Sequence, residues 1–107
     1  MANMKYKIIV SPVALKMLNS HIEFLSMVNP NHAKMVKKLI LNSIGKISDF
    51  TYQYSVFILP GIPINRYRKQ IIQKKYMVIY HIEENLIIVD YILDSRKEND
   101  WLLKDNS

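Results

Sequence analysis

Residues 66–93 read RYRKQIIQKKYMVIYHIEENLIIVDYIL and contain three strand-like runs separated by two short polar breaks. The run from Tyr76 to Ile82 places Tyr76, Val78, Tyr80 and Ile82 on one face, because side chains alternate along a strand. The run from Leu86 to Leu93 is nearly all apolar and β-branched, which is typical of a central strand. The breaks at 73–74 and 83–85 have the length of hairpin turns, so we predict that Arg66–Ile72 and the two later runs form antiparallel strands.

Upstream of this region, the sequence predicts one strand and two helices. The strand runs from Lys5 to Val10, and Ser11-Pro12 supplies an N-cap followed by proline in the first turn of a helix. Asn29-Pro30 repeats that signal, and two helices joined by about three residues are expected to form an antiparallel hairpin. The predicted inward positions are Leu15, Leu18, Ile22 and Leu25 in the first helix, and Ala33, Val36, Ile40, Ile44 and Ile47 in the second.

The segment from Phe50 to Ile64 is aromatic and apolar, but Pro60, Gly61 and Pro63 prevent a long regular element. We predict a loop packed on the core, containing a short strand or a turn of helix. A short helix is predicted from Arg96 to Leu103. The result is one α+β domain over 1–107, of order β-α-α-β-β-β with a short C-terminal helix, in which the helical hairpin packs on an antiparallel sheet.

The charge is distributed unevenly along the chain. The net charge is +6, yet residues 1–82 contain 12 Lys and Arg against Glu23 and Asp49 alone, and residues 83–107 contain seven acids against three bases. A basic body of this kind favours a polyanion or an acidic protein as partner, with a merely solvated surface as the alternative. No run is long enough to span a membrane and no signal peptide is evident, so we expect a cytoplasmic protein.

Residues 51–82 contain no acid and five bases, which lie among tyrosines. Cations neutralise phosphates and aromatic rings stack on bases, so this pattern is typical of nucleic-acid binding. The alternative is that the tyrosines are half-buried sheet residues and the lysines keep a sheet edge soluble. The predicted nucleic-acid-binding residues here are Arg66, Arg68, Lys69, Lys74 and Lys75.

Other kinds of site find little support in the sequence. There is no cysteine, no glycine-rich phosphate loop and no nucleophilic serine motif. We interpret His21, His32 and His81 as surface or hydrogen-bonded residues, because their spacing is not that of metal ligands. We therefore expect no metal and no cofactor.

Several motifs resemble the RelE/ParE superfamily of toxins from type II toxin–antitoxin systems. Tyr6-Lys-Ile-Ile-Val-Ser-Pro, leading into a helical hairpin, is similar to the start of these toxins. Arg66-Tyr-Arg-Lys, followed by Lys75-Tyr-Met-Val-Ile-Tyr80-His-Ile-Glu, resembles their central hairpin. Val89-Asp-Tyr-Ile-Leu-Asp-Ser-Arg96 resembles their last strand, so the resemblance covers roughly residues 5–103.

The resemblance implies a toxin held inactive by a cognate antitoxin, which binds exposed apolar surface such as Phe57–Leu59 or the helical hairpin. The alternative is that these residues simply cover the core. RelE-like members cleave mRNA on the ribosome without a metal, and Arg68 and Arg96 match the family's phosphate-binding arginines. In this view the chain is a metal-independent endoribonuclease (mRNA interferase), and Trp101 stacks on a base.

The C-terminal segment departs from the RelE pattern, because Trp101 stands near the place where RelE-like enzymes carry a proton-transferring tyrosine or histidine. ParE-like members lack that catalytic set and poison DNA gyrase by binding. The sequence therefore leaves three hypotheses: a RelE-like mRNA interferase, a ParE-like gyrase inhibitor without enzymatic activity, and a catalytically inactive relative that binds only its antitoxin.

Overall fold

The structure, a computed structural model, describes residues 6–94, and within them two helices pack on one face of a five-stranded sheet. The predicted α+β class is confirmed, and the predicted C-terminal helix at 96–103 lies outside the described residues. The elements are β1 (Lys7–Val10), α1 (Pro12–Ser26), α2 (Pro30–Gly45), a 3-10 helix (Lys46–Asp49), β2 (Val56–Phe57), β3 (Tyr67–Ile72), β4 (Tyr76–Glu83) and β5 (Leu86–Asp94).

Both helices begin where the capping signals predicted. The Ser11 side chain accepts a hydrogen bond from the Ala14 N–H at 3.0 Å, and the Asn29 side chain accepts one from the His32 N–H at 3.1 Å. Ser11 also joins α1 to the sheet, because its N–H donates to the Val89 carbonyl and its hydroxyl donates to the Asp90 carbonyl.

The predicted inward face is confirmed for α2 and needs one correction in α1. All five predicted inward residues from Ala33 to Ile47 are buried, the first four in α2 and Ile47 in the 3-10 helix that follows it. In α1, Leu18 is buried, but Leu15 is 47% exposed and Ala14 is fully buried in its place. The anchoring of Ser11 on β5 turns the first turn of the helix so that position 14 faces the sheet.

The strand order is β1-β5-β4-β3-β2. The predicted antiparallel pairing of β3, β4 and β5 is confirmed, but β1 runs parallel to β5, with Lys7 opposite Leu86. The sheet is therefore mixed, and the prediction of an antiparallel sheet was wrong for its first strand. Tight turns reveal the pairing of consecutive strands only, whereas β1 reaches β5 through long-range pairing after the helical hairpin.

The segment from Phe50 to Ile64 packs on the core as predicted and contains the short strand β2. Val56 pairs with Arg68 and Phe57 with Tyr67. Phe57 and Leu59 are buried, while Ile58 between them is 60% exposed. This segment covers the sheet face opposite the helices, where its two buried residues contact Met77, Ile79 and Leu93.

A β-bulge interrupts the pairing of β4 with β5. Ile79 lies opposite Tyr91 and Tyr80 lies opposite Val89, so Asp90 is an extra residue on β5. The bulge changes the alternation, and both Val89 and Ile92 join the core beneath the helices. Within residues 6–94, neither helix is both long and apolar enough to cross a membrane.

Replacing Ser11 with alanine is expected to lower the free energy of unfolding by about 1–2 kcal/mol, because the cap is lost. The same change also removes the hydroxyl that donates to the Asp90 carbonyl. Urea denaturation measures the effect. Ser20→Ala, at an exposed position within α1, is the control and should leave stability within about 0.5 kcal/mol of wild type. Equal stability of the two variants would contradict the prediction.

Candidate functional site

A pocket lies at the end of the sheet where β3 begins and β4 ends. It brings together two of the residues that the sequence predicted to bind phosphate or nucleic acid, Arg66 and Arg68. Among residues 6–94, no carboxylate lines the pocket, and two guanidinium groups supply its charge. The lining residues are Tyr52, Asn65, Arg66, Arg68, His81 and Ile82.

Arg68 is held in a defined orientation by the loop that precedes β2. Its Nη1 donates to the Tyr54 carbonyl at 2.7 Å and to the Tyr52 carbonyl at 3.3 Å. The guanidinium carbon lies 5.4 Å from the centroid of the Tyr52 ring, within the range of a cation–π contact. Within residues 6–94, these contacts leave Nε and Nη2 without a hydrogen bond, and the Nε–Nη2 edge can receive an anion through two parallel bonds.

Arg66 precedes the first residue of β3 and is exposed. Its guanidinium carbon lies 5.8 Å from the centroid of the Tyr67 ring. Burial raises the pKa of the Asp90 carboxyl, and the positive charge of Arg66 is one of the influences that oppose the increase. Arg66 therefore adds a second cation to the pocket, with more freedom to move than Arg68.

His81 is a buried member of the pocket lining, 7% exposed. Its Nδ1 lies 2.5 Å from an Asp90 carboxylate oxygen, and its Nε2 lies 2.7 Å from a Glu83 carboxylate oxygen. Burial raises the pKa of the Asp90 carboxyl, and the hydrogen bond and charge of His81 oppose that increase. Both ring nitrogens are thus engaged, which agrees with our interpretation of His81 as a hydrogen-bonded residue.

Tyr80 lies beneath the pocket and is fully buried. Its hydroxyl donates to the Thr51 carbonyl at 2.8 Å. Burial raises the pKa of Tyr80 to about 12, although the nearby Arg68 charge opposes the increase. A phenol so protected holds its proton at neutral pH and has no access to a ligand in the pocket.

The other predicted basic residues lie elsewhere. Lys69 is on the opposite sheet face from Arg68, with its Nζ 6.0 Å from the centroid of the Phe57 ring. Lys74 and Lys75 lie in the β3–β4 turn, beyond Ile72 at the far end of β3, which is about 13 Å along the strand from Arg68. Arg96 and Trp101 lie outside the described residues. Among residues 6–94, no group of three His, Asp or Glu side chains is arranged to hold a metal ion.

Tyr52 and Asn65 line the pocket although no pattern in the sequence predicted them. Both lie in irregular backbone on either side of β2, and their approach to Arg68 depends on the pairing of Val56 with that residue. A two-residue strand has no periodicity from which its pairing could be deduced. The available signal was the lack of acidic residues across 51–82, which marked the region but not the individual side chains.

Removing the His81 imidazole is expected to destabilise the protein more than removing the charge of Glu83. A His81→Leu variant leaves the half-buried Asp90 carboxylate without its partner, at a cost of about 1–3 kcal/mol. The Glu83 side chain is 55% exposed, so Glu83→Gln should cost less than about 1 kcal/mol. Urea denaturation at pH 7 compares the two, and the reverse order would contradict this account of the cluster.

The raised pKa of Tyr80 predicts a loss of stability in alkali. The unfolded chain releases this proton near pH 10 and the folded chain near pH 12, so stability falls as the pH rises between those values. The slope from this one group is at most about 1.4 kcal/mol per pH unit. Urea denaturation from pH 9.5 to 12 should give a shallower slope for Tyr80→Phe than for wild type. Parallel slopes would show that Tyr80 does not titrate as described.

Comparisons with known proteins identify the fold. No protein-family profile matches this chain, and no curated protein matches it. Among solved structures, a chain of the chromosomal ParDE TA system from P. aeruginosa is similar, with a TM-score of 0.71 and 10% sequence identity. The match covers 85% of this chain and 97% of that chain. The fold implied by the resemblance to RelE/ParE toxins is therefore confirmed: this chain has the fold of a protein from a ParDE toxin–antitoxin system.

Proposed function

We propose that this chain is the toxin of a type II toxin–antitoxin pair, kept inactive by a cognate antitoxin protein. Three observations support the proposal. The fold is shared with a chain of a ParDE TA system. The sequence motifs resemble RelE/ParE toxins over roughly residues 5–103. The body of the chain is strongly basic, as suits a partner or target of opposite charge.

The helical hairpin is better suited to antitoxin binding than the segment Phe57–Leu59. Phe57 and Leu59 are buried in the structure and offer little to a partner. Around the turn between the helices, four large apolar side chains are between 64% and 84% exposed, which is typical of a protein-binding surface. These residues are Phe24, Met27, Val28 and Met35.

For the toxic activity, we propose ribosome-dependent mRNA cleavage of the RelE type. The observation that supports it best is the pocket itself, in which Arg68 presents its Nε–Nη2 edge beside Arg66 and the part of the lining that falls within residues 6–94 contains no carboxylate. A phosphoryl group that gains negative charge during cleavage is stabilised by such fixed cations. Arg68 would bind the scissile phosphate and Arg66 would add charge, with no metal required.

The second candidate is a gyrase inhibitor of the ParE type, which acts by binding and performs no chemistry. Cleavage by a 2′-hydroxyl needs a base to activate the nucleophile and an acid to protonate the leaving oxygen. At the pocket, His81 has both ring nitrogens engaged by carboxylates, and Tyr80 beneath the lining is buried with a raised pKa. An inhibitor that works by binding does not need a proton-transfer group, so this arrangement favours the ParE-like hypothesis.

Two assays on the purified protein separate these candidates. In a translation system with programmed ribosomes, an mRNA interferase cuts the message, and primer extension maps the cut. In a supercoiling assay, a gyrase inhibitor blocks the introduction of supercoils at micromolar concentration. Normal growth when the chain is induced without an antitoxin would overturn the toxin proposal and favour a catalytically inactive relative.

Arg68→Gln is expected to lower the rate of mRNA cleavage about 100-fold, the usual effect of removing a fixed donor to a transition-state oxyanion. Arg68→Lys keeps the positive charge but loses the Nε–Nη2 edge that can form two parallel bonds. Its cleavage rate should therefore lie between those of Arg68→Gln and wild type. Lys69→Gln is the matched control, because it removes one positive charge from the next residue of β3 on the opposite face. Equal losses in Arg68→Gln and Lys69→Gln would indicate that only net charge matters.

A further inference from the structure

We infer that Tyr80 is a positioning residue for Arg68, acting through the backbone of residues 51–54. The inference rests on the proposed function in one respect, since it assumes that Arg68 is the group that binds an anionic ligand. It gives a role to a residue that stands in the motif from Lys75 to Glu83 without an assigned function and that the described pocket lining does not include, because Tyr80 touches the pocket only indirectly.

The first step is the anchoring of Thr51. Tyr80 lies on the most buried strand, with no exposed surface, and its hydroxyl donates to the Thr51 carbonyl at 2.8 Å. On the other side, the Thr51 hydroxyl donates to the Ile47 carbonyl at 3.0 Å. The loop is therefore fixed at its start between the core of the sheet and the end of the helical region.

The second step is the shape of the loop from Thr51 to Tyr54. The Gln53 N–H donates to the Phe50 carbonyl at 2.9 Å, which closes a turn. The ring of Tyr54 stands edge-on to the ring of Tyr80, with centroids 6.3 Å apart and an angle of 87° between the planes. Tyr80 thus contacts both ends of the loop from Thr51 to Tyr54, by a hydrogen bond at Thr51 and by a ring contact at Tyr54.

The third step is the guanidinium itself. Arg68 lies directly opposite Tyr80 in the pairing of β3 with β4, so the Arg68 backbone is already fixed. The Tyr52 and Tyr54 carbonyls of the anchored loop then accept hydrogen bonds from Nη1 of Arg68. Two acceptors on one nitrogen fix the rotation of the guanidinium plane, and a site whose donors are fixed in advance binds better than one that must be ordered by its ligand.

The test is Tyr80→Phe, with Tyr76→Phe as the matched control. Both changes remove one phenol oxygen from a buried tyrosine on the same face of β4, but Tyr76 lies beside His21, with ring centroids 5.8 Å apart, and not beneath the loop. Nuclear magnetic resonance of the Arg68 side chain is recorded without ligand and during titration with inorganic phosphate. Thermal unfolding of all variants records the loss of stability separately.

Without ligand, wild type and Tyr76→Phe should show two distinct Arg68 Nη signals, because rotation about the Nε–Cζ bond is restricted. Tyr80→Phe should show averaged signals. The dissociation constant for phosphate at Arg68 should rise about tenfold in Tyr80→Phe, equivalent to about 1.4 kcal/mol, and stay within about twofold in Tyr76→Phe.

Averaged Nη signals in wild type, or distinct ones in Tyr80→Phe, would overturn the positioning role. An equal effect of the two substitutions would also overturn it, since the cause would then be general loss of stability. If restricted rotation depends on Tyr80 but wild type binds no phosphate, the positioning role stands and the proposed function of Arg68 fails.

Discussion

The burial of β4 on both faces is the constraint on which the rest of this structure depends. Val78, Ile79 and Tyr80 are fully buried although they point alternately to opposite sides of the sheet. The β4 side chains on one face of the sheet must be covered by the helices, and those on the other face by the segment that contains β2. The irregular backbone from Phe50 to Ile64 is therefore part of the core, which explains why a segment with so few regular elements holds a fixed position.

The same constraint creates the site at one end of the sheet. Tyr80 is too large and too polar at its tip for a purely apolar core, so its hydroxyl needs a buried acceptor and finds one in the Thr51 carbonyl. Across the sheet, the bulge at Asp90 gives His81 a carboxylate partner from the neighbouring strand. Buried polar groups that need hydrogen-bond partners are therefore concentrated where β3 begins. In the same region the Arg68 guanidinium donates to a backbone carbonyl of the loop.

Much of the fold followed from local patterns, and the site did not. Capping signals, helical spacing and short turns predicted both helices and the β3–β4–β5 meander, because each depends on residues close together in the chain. The parallel pairing of β1 with β5 and the exposure of Leu15 depend on contacts across about 80 residues, which no local pattern contains. For the site, alternation along the strand associated Arg66 with Arg68, but Tyr52 and Asn65 approach them only through the short pairing of β2.

Whether a side chain at the pocket can transfer a proton constrains its chemistry as much as the arginines do. Cations stabilise a negative group whether that group reacts or merely binds, so Arg66 and Arg68 are compatible with both proposed targets. Proton transfer is more demanding, because the transferring group must be accessible and must titrate near neutral pH. Both ring nitrogens of His81 are engaged by the carboxylates of Asp90 and Glu83, and the Tyr80 hydroxyl donates to the Thr51 carbonyl. A side chain whose polar atoms are all engaged in hydrogen bonds within the fold is a poor acid or base. Any cleavage activity therefore requires a proton-transferring group other than His81 and Tyr80.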